Sequence, residues 1–247
     1  MSARKPTKIK TLLMTGRNNH DWKRSAPFCR DLLMASGRFD VTLTETPWDV
    51  LANPAEVAKY KLFFSDWNDS AEAVSPVARA VFESAVWGGA GVCILHAADN
   101  AFPGWVEYEK MVGLMWREGT GHGSYHEFDV KIRDHDHPIT EGVEDFRTWD
   151  ELYHRLVPMH DVQCRVLATA WSDPATGGTG NDEPMLVTTS YGKGRIFHQV
   201  LGHVWWVDPA AAAPDASKGM QSFENPGFQR TLLRGCEWAA TGKVTLK

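Results

Sequence analysis

The chain has 247 residues, 43% of them hydrophobic and 23% charged. That balance excludes wholesale disorder and fibrous repeats, and the length is enough for one large domain. Lys and Arg number 26 against 31 Asp and Glu, a formal charge of −5, so the chain lacks the cationic excess that nucleic-acid backbones and anionic membranes attract. The anomalies are 11 Trp and 10 His. A buried indole needs a partner for its N–H, and so many Trp beside so many His point to a polar pocket with stacking walls.

Residues 1–8 read as a solvated tail, followed by a first strand over Ile9 to Thr15 that stops at Gly16. Ala26, Phe28, Cys29, Leu32 and Leu33 recur at helical spacing until Ser36-Gly37. Phe39 to Thr44 alternates as a half-buried strand does, and Leu62-Phe63-Phe64 is a short buried one. Ser75-Pro76 opens a helix through Val86 that Gly88-Gly89 closes. Gly91 to Leu95 is a continuous apolar run, the pattern of a central parallel strand covered on both faces. Further strands are predicted at Phe128 to Ile132, Arg165 to Ala170, Met185 to Thr189 and Ile196 to Leu201. The last two form a hairpin across Tyr191-Gly-Lys-Gly194. Asp208 to Asn225 reads as a long loop, and Phe228 to Ala240 as a closing amphipathic helix. The alternation predicts an α/β fold with a doubly wound, mostly parallel sheet and helices on both faces, in a single domain over 1–247.

In such a sheet, ligands gather at the carboxyl ends of the strands. Three polar clusters fall at predicted strand ends: Asn18-Asn19-His20-Asp21, Asp66-Trp67-Asn68-Asp69 and His96-Ala97-Ala98-Asp99-Asn100. His96 follows the central strand and is the strongest single candidate for catalysis. Asn19, His20, Trp67 and Asn100 are candidate substrate contacts. His203 and Trp205 follow the strand ending at Leu201 and add an imidazole and a stacking platform. Asp150 and Glu151 are adjacent carboxylates, both candidates for acid or base work; in extended chain they point to opposite faces, so one enters a given site. His122 and His126 have a metal-ligand spacing only if helical, and the glycines around them argue against a helix. Of the two, His126 is the one expected to reach the pocket. Asp134-His135-Asp136-His137-Pro138 reads as a surface turn.

Several stretches, in this order, resemble the ThuA-like (trehalose utilisation) family. They are Trp87-Gly-Gly-Ala-Gly-Val-Cys-Ile-Leu-His96, His126-Glu-Phe-Asp-Val130, Asp136-His-Pro-Ile-Thr-Glu-Gly142 and Asp150-Glu-Leu-Tyr153. Gly192-Lys-Gly-Arg-Ile-Phe197, Leu201-Gly-His203 and Arg234-Gly-Cys-Glu-Trp238 follow. The resemblance implies a flavodoxin-like fold of the class I glutamine amidotransferase type. Those amidotransferases place a cysteine at the turn after the central strand; here the turn reads Leu95-His96-Ala97-Ala98 and Cys93 lies within the strand. The resemblance therefore implies sugar chemistry in disaccharide catabolism, isomerisation or cleavage of a keto-glycoside, and not a cysteine-dependent amidotransferase. A carbohydrate-binding or regulatory protein on a degenerate amidotransferase fold is the alternative.

The expected metal ligands are His96, His126, Glu151 and His203, holding zinc or manganese. No Gly-rich phosphate loop occurs, so no nucleotide cofactor is expected. The expected partner is a small carbohydrate, with neither nucleic acid nor membrane. No run of ~20 apolar residues is present, and the four cysteines stand singly, which together point to the cytoplasm. The Trp-rich loops and the 208–225 arm point to a homo-oligomer.

Overall fold

The computed structural model describes residues 7–70, 74–207 and 219–247. In chain order, β1 (Ile9–Met14), α1 (Trp22–Ala35), β2 (Phe39–Thr44), α2 (Pro47–Leu51), α3 (Pro54–Val57), β3 (Leu62–Ser65), α4 (Pro76–Trp87) and β4 (Gly91–Leu95) form the first half. A 3₁₀ turn, His96–Asn100, leads to α5 (Val106–Val112). Next come the short β5 (Leu114–Met115) and β6 (Gly121–His122), then β7 (His126–Ile132), β8 (Phe146–Asp150), β9 (Tyr153–His154) and β10 (Val157–Pro158). β11 (Arg165–Trp171), β12 (Asp182–Tyr191), β13 (Gly194–Gln199), α6 (Gln221–Glu224) and α7 (Pro226–Thr241) complete the chain.

Nine strands make one sheet in the order β2-β1-β3-β4-β13-β12-β11-β7-β8. The first five are parallel to one another, whereas β12, β11, β7 and β8 each pair antiparallel with the strand before. The expectation of a mostly parallel sheet therefore holds for one half only. The physical reason is visible in β7 and β8, where buried and solvent-facing residues alternate. Such strands have one wet face, which antiparallel pairing tolerates more readily than parallel pairing; the half-buried parallel strand β2 stands at the edge of the sheet.

One core cluster packs α1 and α7 on one face of the sheet, through Cys29, Leu33, Phe228, Leu232 and Cys236 against Leu13, Phe64, Cys93 and Phe197. The other packs α4 and α5 on the opposite face, through Ala78, Phe82, Val86, Tyr108 and Met111 against Leu12, Phe63, Val92 and Ile94. The cap at Ser75 matches the sequence reading, whereas the one at Asn225 starts α7 two residues before the predicted Phe228. Ser75 accepts a hydrogen bond from the Ala78 amide ahead of Pro76, and Asn225 accepts from Gly227 and Phe228 ahead of Pro226. α7 lies so close to β4 that a Cβ on Gly91 would stand 2.3 Å from the Ala239 carbonyl carbon.

Of the loop predicted over 208–225, residues 208–218 lie outside the described residues, as do 1–6 of the tail. Residues 221–224 are helical because Ser222 and Phe223 are buried against the sheet. Among the described residues, no helix is long and apolar enough to cross a membrane.

Candidate functional site

The parallel strands β1, β3, β4 and β13 deliver Asn18-Asn19-His20, Asp66-Trp67-Asn68, His96 and His203 to one edge. β8 runs in the same sense as β13, since four antiparallel steps separate them, so Glu151 just past its end reaches that edge too. His20, His96, Glu151 and His203 are all buried, and one ligand atom from each lies within 4.8 Å of the others. The ring centroids of His20 and His96 are 4.8 Å apart, of His20 and His203 4.6 Å, and of His96 and His203 5.8 Å.

Each imidazole is oriented by its surroundings. His96 adopts a positive φ of 43° at the strand end, a conformation that costs on the order of 1 kcal/mol for a residue bearing a Cβ. Its Nδ1–H donates to the Val200 carbonyl at 2.6 Å, and its ring stacks on Tyr153 with centroids 4.1 Å apart. Nε2 is therefore the lone-pair nitrogen, and it is buried without a hydrogen-bond partner. His20 Nδ1 faces the side-chain amide oxygens of Asn19 at 3.0 Å and Asn18 at 3.3 Å, so it too carries the proton and leaves Nε2 without one. That Nε2 is 2.8 Å from His203 Nδ1, which also lies 2.9 Å from Glu151 Oε2. Burial, reinforced by the other imidazoles, depresses the basicity of His20 to a pKa of about 3 and puts His96 well below the ordinary histidine range.

Asp150 has a different role from the one expected. Its side chain accepts from the backbone N–H of Gly202 at 2.7 Å, His203 at 3.0 Å and Glu151 at 2.8 Å, and from the Ser222 hydroxyl. Burial raises its pKa to about 6 against the pull of these donors. Asp150 thus clamps the two segments that carry His203 and Glu151, and it does not line the cavity. Of the two adjacent carboxylates, Glu151 lines the cavity and Asp150 does not.

The cluster opens into a cavity of about 310 Å³ lined by Asn19, Asn68, Asn100, Trp116, His122, Trp205 and Trp206, among others. Asn68 Nδ2 donates to Asn19 Oδ1 at 2.7 Å, and Trp206 Nε1 donates to the Asn19 carbonyl at 3.0 Å, so the strand-end loops are tied together. Trp205 packs edge-on against His203, with centroids 4.2 Å apart. Asp66 lies below, its Oδ1 accepting from Asn18 Nδ2 at 3.0 Å and its Oδ2 from the Ser25 hydroxyl at 2.7 Å.

Two expected residues lie elsewhere. His126 begins β7, donates Nδ1–H to the Ser124 carbonyl and packs on Phe128, outside the donor cluster. With β6 and β7 as separate strands, the four-residue spacing has no common face, and His122 enters the cavity instead. Trp67 is buried in the core, edge-on to Trp48 at 5.1 Å. It is Asn68, one residue on, that faces the cavity. His20, expected as a substrate contact, belongs to the donor cluster. Trp116 was missed: it sits beside a two-residue strand with no periodicity to reveal it.

Cys93 is fully buried in β4 next to Cys236, and burial pushes its thiol well above the ordinary range. It has neither the exposure nor the acidity of a nucleophile.

The sequence pattern of the ThuA family, described as trehalose utilisation, matches residues 10–211. A ThuA-like protein from Parabacteroides merdae is 35% identical in its crystal structure, with a TM-score of 0.82 over 98% of this chain and 93% of that one. A ThuA-like protein from Bacteroides uniformis shares 17% identity at a TM-score of 0.69, over 99% and 97% of the two chains. A cytoplasmic protein from Salmonella typhimurium shares the fold at 12% identity and a TM-score of 0.61, over 94% and 99%. None of the curated proteins matches this chain.

Proposed function

The chain belongs to the ThuA family, and on that premise we propose that it is a sugar-modifying enzyme of disaccharide utilisation, acting on keto-glycosides. One observation carries the reading: a buried imidazole and carboxylate cluster faces a cavity walled by indoles and carboxamides. Trp116 and Trp205 offer faces to the C–H surfaces of a pyranose, while Asn19, Asn68 and Asn100 offer both donors and acceptors to its hydroxyls. No Lys or Arg is among the described lining residues, which favours a neutral sugar over a sugar phosphate.

The chemistry follows from the acidity of a carbon next to a ketone. A base breaks that C–H bond, and the electron pair becomes an enediolate with its charge on the former carbonyl oxygen. Returning the proton to the former carbonyl carbon, while the neighbouring hydroxyl's proton passes to the former carbonyl oxygen, isomerises the sugar. Alternatively, a glycosidic oxygen on the adjacent carbon leaves with its pair and takes a proton, which cleaves the glycoside. Glu151 and His122 are the bases of this reading; His122 Nδ1 lies 2.7 Å from the Gly123 carbonyl oxygen and so carries a proton, which leaves Nε2 as its basic nitrogen. Unlike the buried three, His122 is partly open to solvent, so it can exchange that proton with water.

The test is NMR of a 3-keto-glucoside with the protein in heavy water. The expected result is deuterium at the carbon beside the ketone, or release of the aglycone, with both lost in Glu151→Gln. Sugar binding without exchange or cleavage would make the chain a carbohydrate-binding protein; failure to bind any keto-glycoside would overturn the reading altogether.

A further inference from the structure

We propose that His20, His96, His203 and Glu151 form the binding site of a first-row divalent transition metal, zinc foremost. The inference rests on the same site as the proposed sugar chemistry, but it is tested without a sugar, so the two fail separately.

Four observations converge. First, the donors come from four separate strand ends and still meet within 4.8 Å. Donor atoms around one tetrahedral ion at bonds of ~2.1 Å lie about 3.4 Å apart, so side-chain movements of under about 1 Å each close the set. Second, His20 and His96 each spend Nδ1–H on a carbonyl oxygen, of Asn19 or Asn18 and of Val200. That outer contact is what fixes the tautomer of a metal-bound histidine and aims Nε2 at the ion. Third, the inward side of the cluster is short of positive partners. His96 Nε2 is buried with no hydrogen bond. His203 Nδ1 carries at most one proton, yet it faces two acceptors, His20 Nε2 at 2.8 Å and Glu151 Oε2 at 2.9 Å. A hydrogen bond can satisfy one of them; a cation satisfies all. Fourth, Glu151 is a buried carboxylate whose only ion-pair partners among the described residues are the imidazoles of His122 and His203. A buried charge without a fixed counter-charge is costly, and a divalent ion supplies one.

Three imidazole nitrogens and one carboxylate oxygen suit zinc, or manganese as a second choice, and disfavour magnesium and calcium, which prefer all-oxygen sets. The cavity lies on the open side of the cluster, where a sugar oxygen could complete the coordination. With Glu151 engaged, His122 becomes the imidazole free to accept the substrate proton.

The experiment uses the full chain, stripped with a chelator and titrated with Zn²⁺, Mn²⁺ and Mg²⁺ by calorimetry in the absence of sugar. The expected result is one equivalent of zinc bound, manganese more weakly, and no heat with magnesium. His96→Ala and Glu151→Gln are each expected to weaken zinc binding at least 100-fold, while His126→Ala leaves it unchanged. Because a ligand variant can misfold, wild-type protein loaded with Co²⁺ is the second arm, and the visible d–d bands of a nitrogen-rich four- or five-coordinate site are expected. A folded wild-type chain that binds neither Zn²⁺ nor Co²⁺ would overturn the metal centre and leave the sugar reading standing. Stoichiometric binding that survives His96→Ala and Glu151→Gln would overturn the assigned ligands.

Discussion

Asp66 → Asn offers a sharp test of how the strand-end loops are held. Asp66 is 3% exposed and accepts two hydrogen bonds from side chains, from Asn18 and Ser25, with no ion-pair partner among the described residues. Burial outweighs both bonds and raises its pKa from 3.8 to about 7. Between about pH 4 and pH 7 the folded chain therefore keeps a proton on Asp66 that the unfolded chain has released. Stability from this group is complete below the unfolded pKa and is lost as pH rises through the folded one. At 1.36 kcal/mol per pKa unit, the loss amounts to about 4 kcal/mol.

Asparagine imitates the protonated acid. Its carbonyl accepts from Asn18, and its amide donates to the Ser25 hydroxyl, which can turn toward the Asp21 carbonyl it already neighbours at 3.5 Å. Urea denaturation of wild type and Asp66→Asn, from about pH 4 to about pH 8, is the assay. The two are expected to be nearly equal at the acidic end. The variant should become the more stable by about 4 kcal/mol at the basic end, with the difference growing through the window and flat above it. A constant difference, or a wild type that gains on the variant as pH rises, would refute the argument that desolvation governs this carboxyl.

Three further outcomes can be checked. Gly91→Ala sets a Cβ 2.3 Å from the Ala239 carbonyl carbon and forces α7 off β4, with an expected loss of more than about 3 kcal/mol by thermal or urea unfolding. Gly37→Ala meets nothing within 4 Å and strains only a φ of 71°, so about 1 kcal/mol is expected there. Trp116→Ala and Trp205→Ala should each weaken keto-glycoside binding about tenfold by calorimetry, about 1.4 kcal/mol, with zinc affinity retained. Unchanged sugar affinity in both would mean the sugar lies elsewhere.

The parallel half of the sheet was legible because β1, β3, β4 and β13 are largely apolar on both faces and bounded by glycine or polar turns. β1, β3 and β4 fall within a residue of where the pattern places them. The antiparallel half was less so. The alternation over Phe128 to Ile132 was read as a strand, but its one-sided polarity was not carried forward into strand direction. β5, β6, β9 and β10 are two residues each and are held by pairing with one another, β5 with β10 and β6 with β9. No local period marks such ribbons, which is why Trp116 went unseen and His126 was preferred to His122.

The donor cluster shows where topology is a better guide than spacing. His20, His96 and His203 are separated by scores of residues, and what unites them is that each follows a strand of one parallel set. Glu151 obeys the same rule for a less evident reason. Each antiparallel step reverses a strand, and an even number of steps restores its sense, so β8 ends on the same edge as β13 although four strand boundaries lie between them. Pleating then divides the labour of the two neighbouring acids. Asp150, the last residue of β8, points into the layer beneath and takes the amides of Gly202 and His203. Glu151, beyond the ladder and turned the other way, is left to face the imidazoles. The same clamp that holds Asp150 sets the distance between His203 and Glu151, so Asp150→Asn, though Asp150 is not itself a ligand, should loosen the site through the Gly202, His203 and Glu151 backbone and weaken zinc binding by calorimetry.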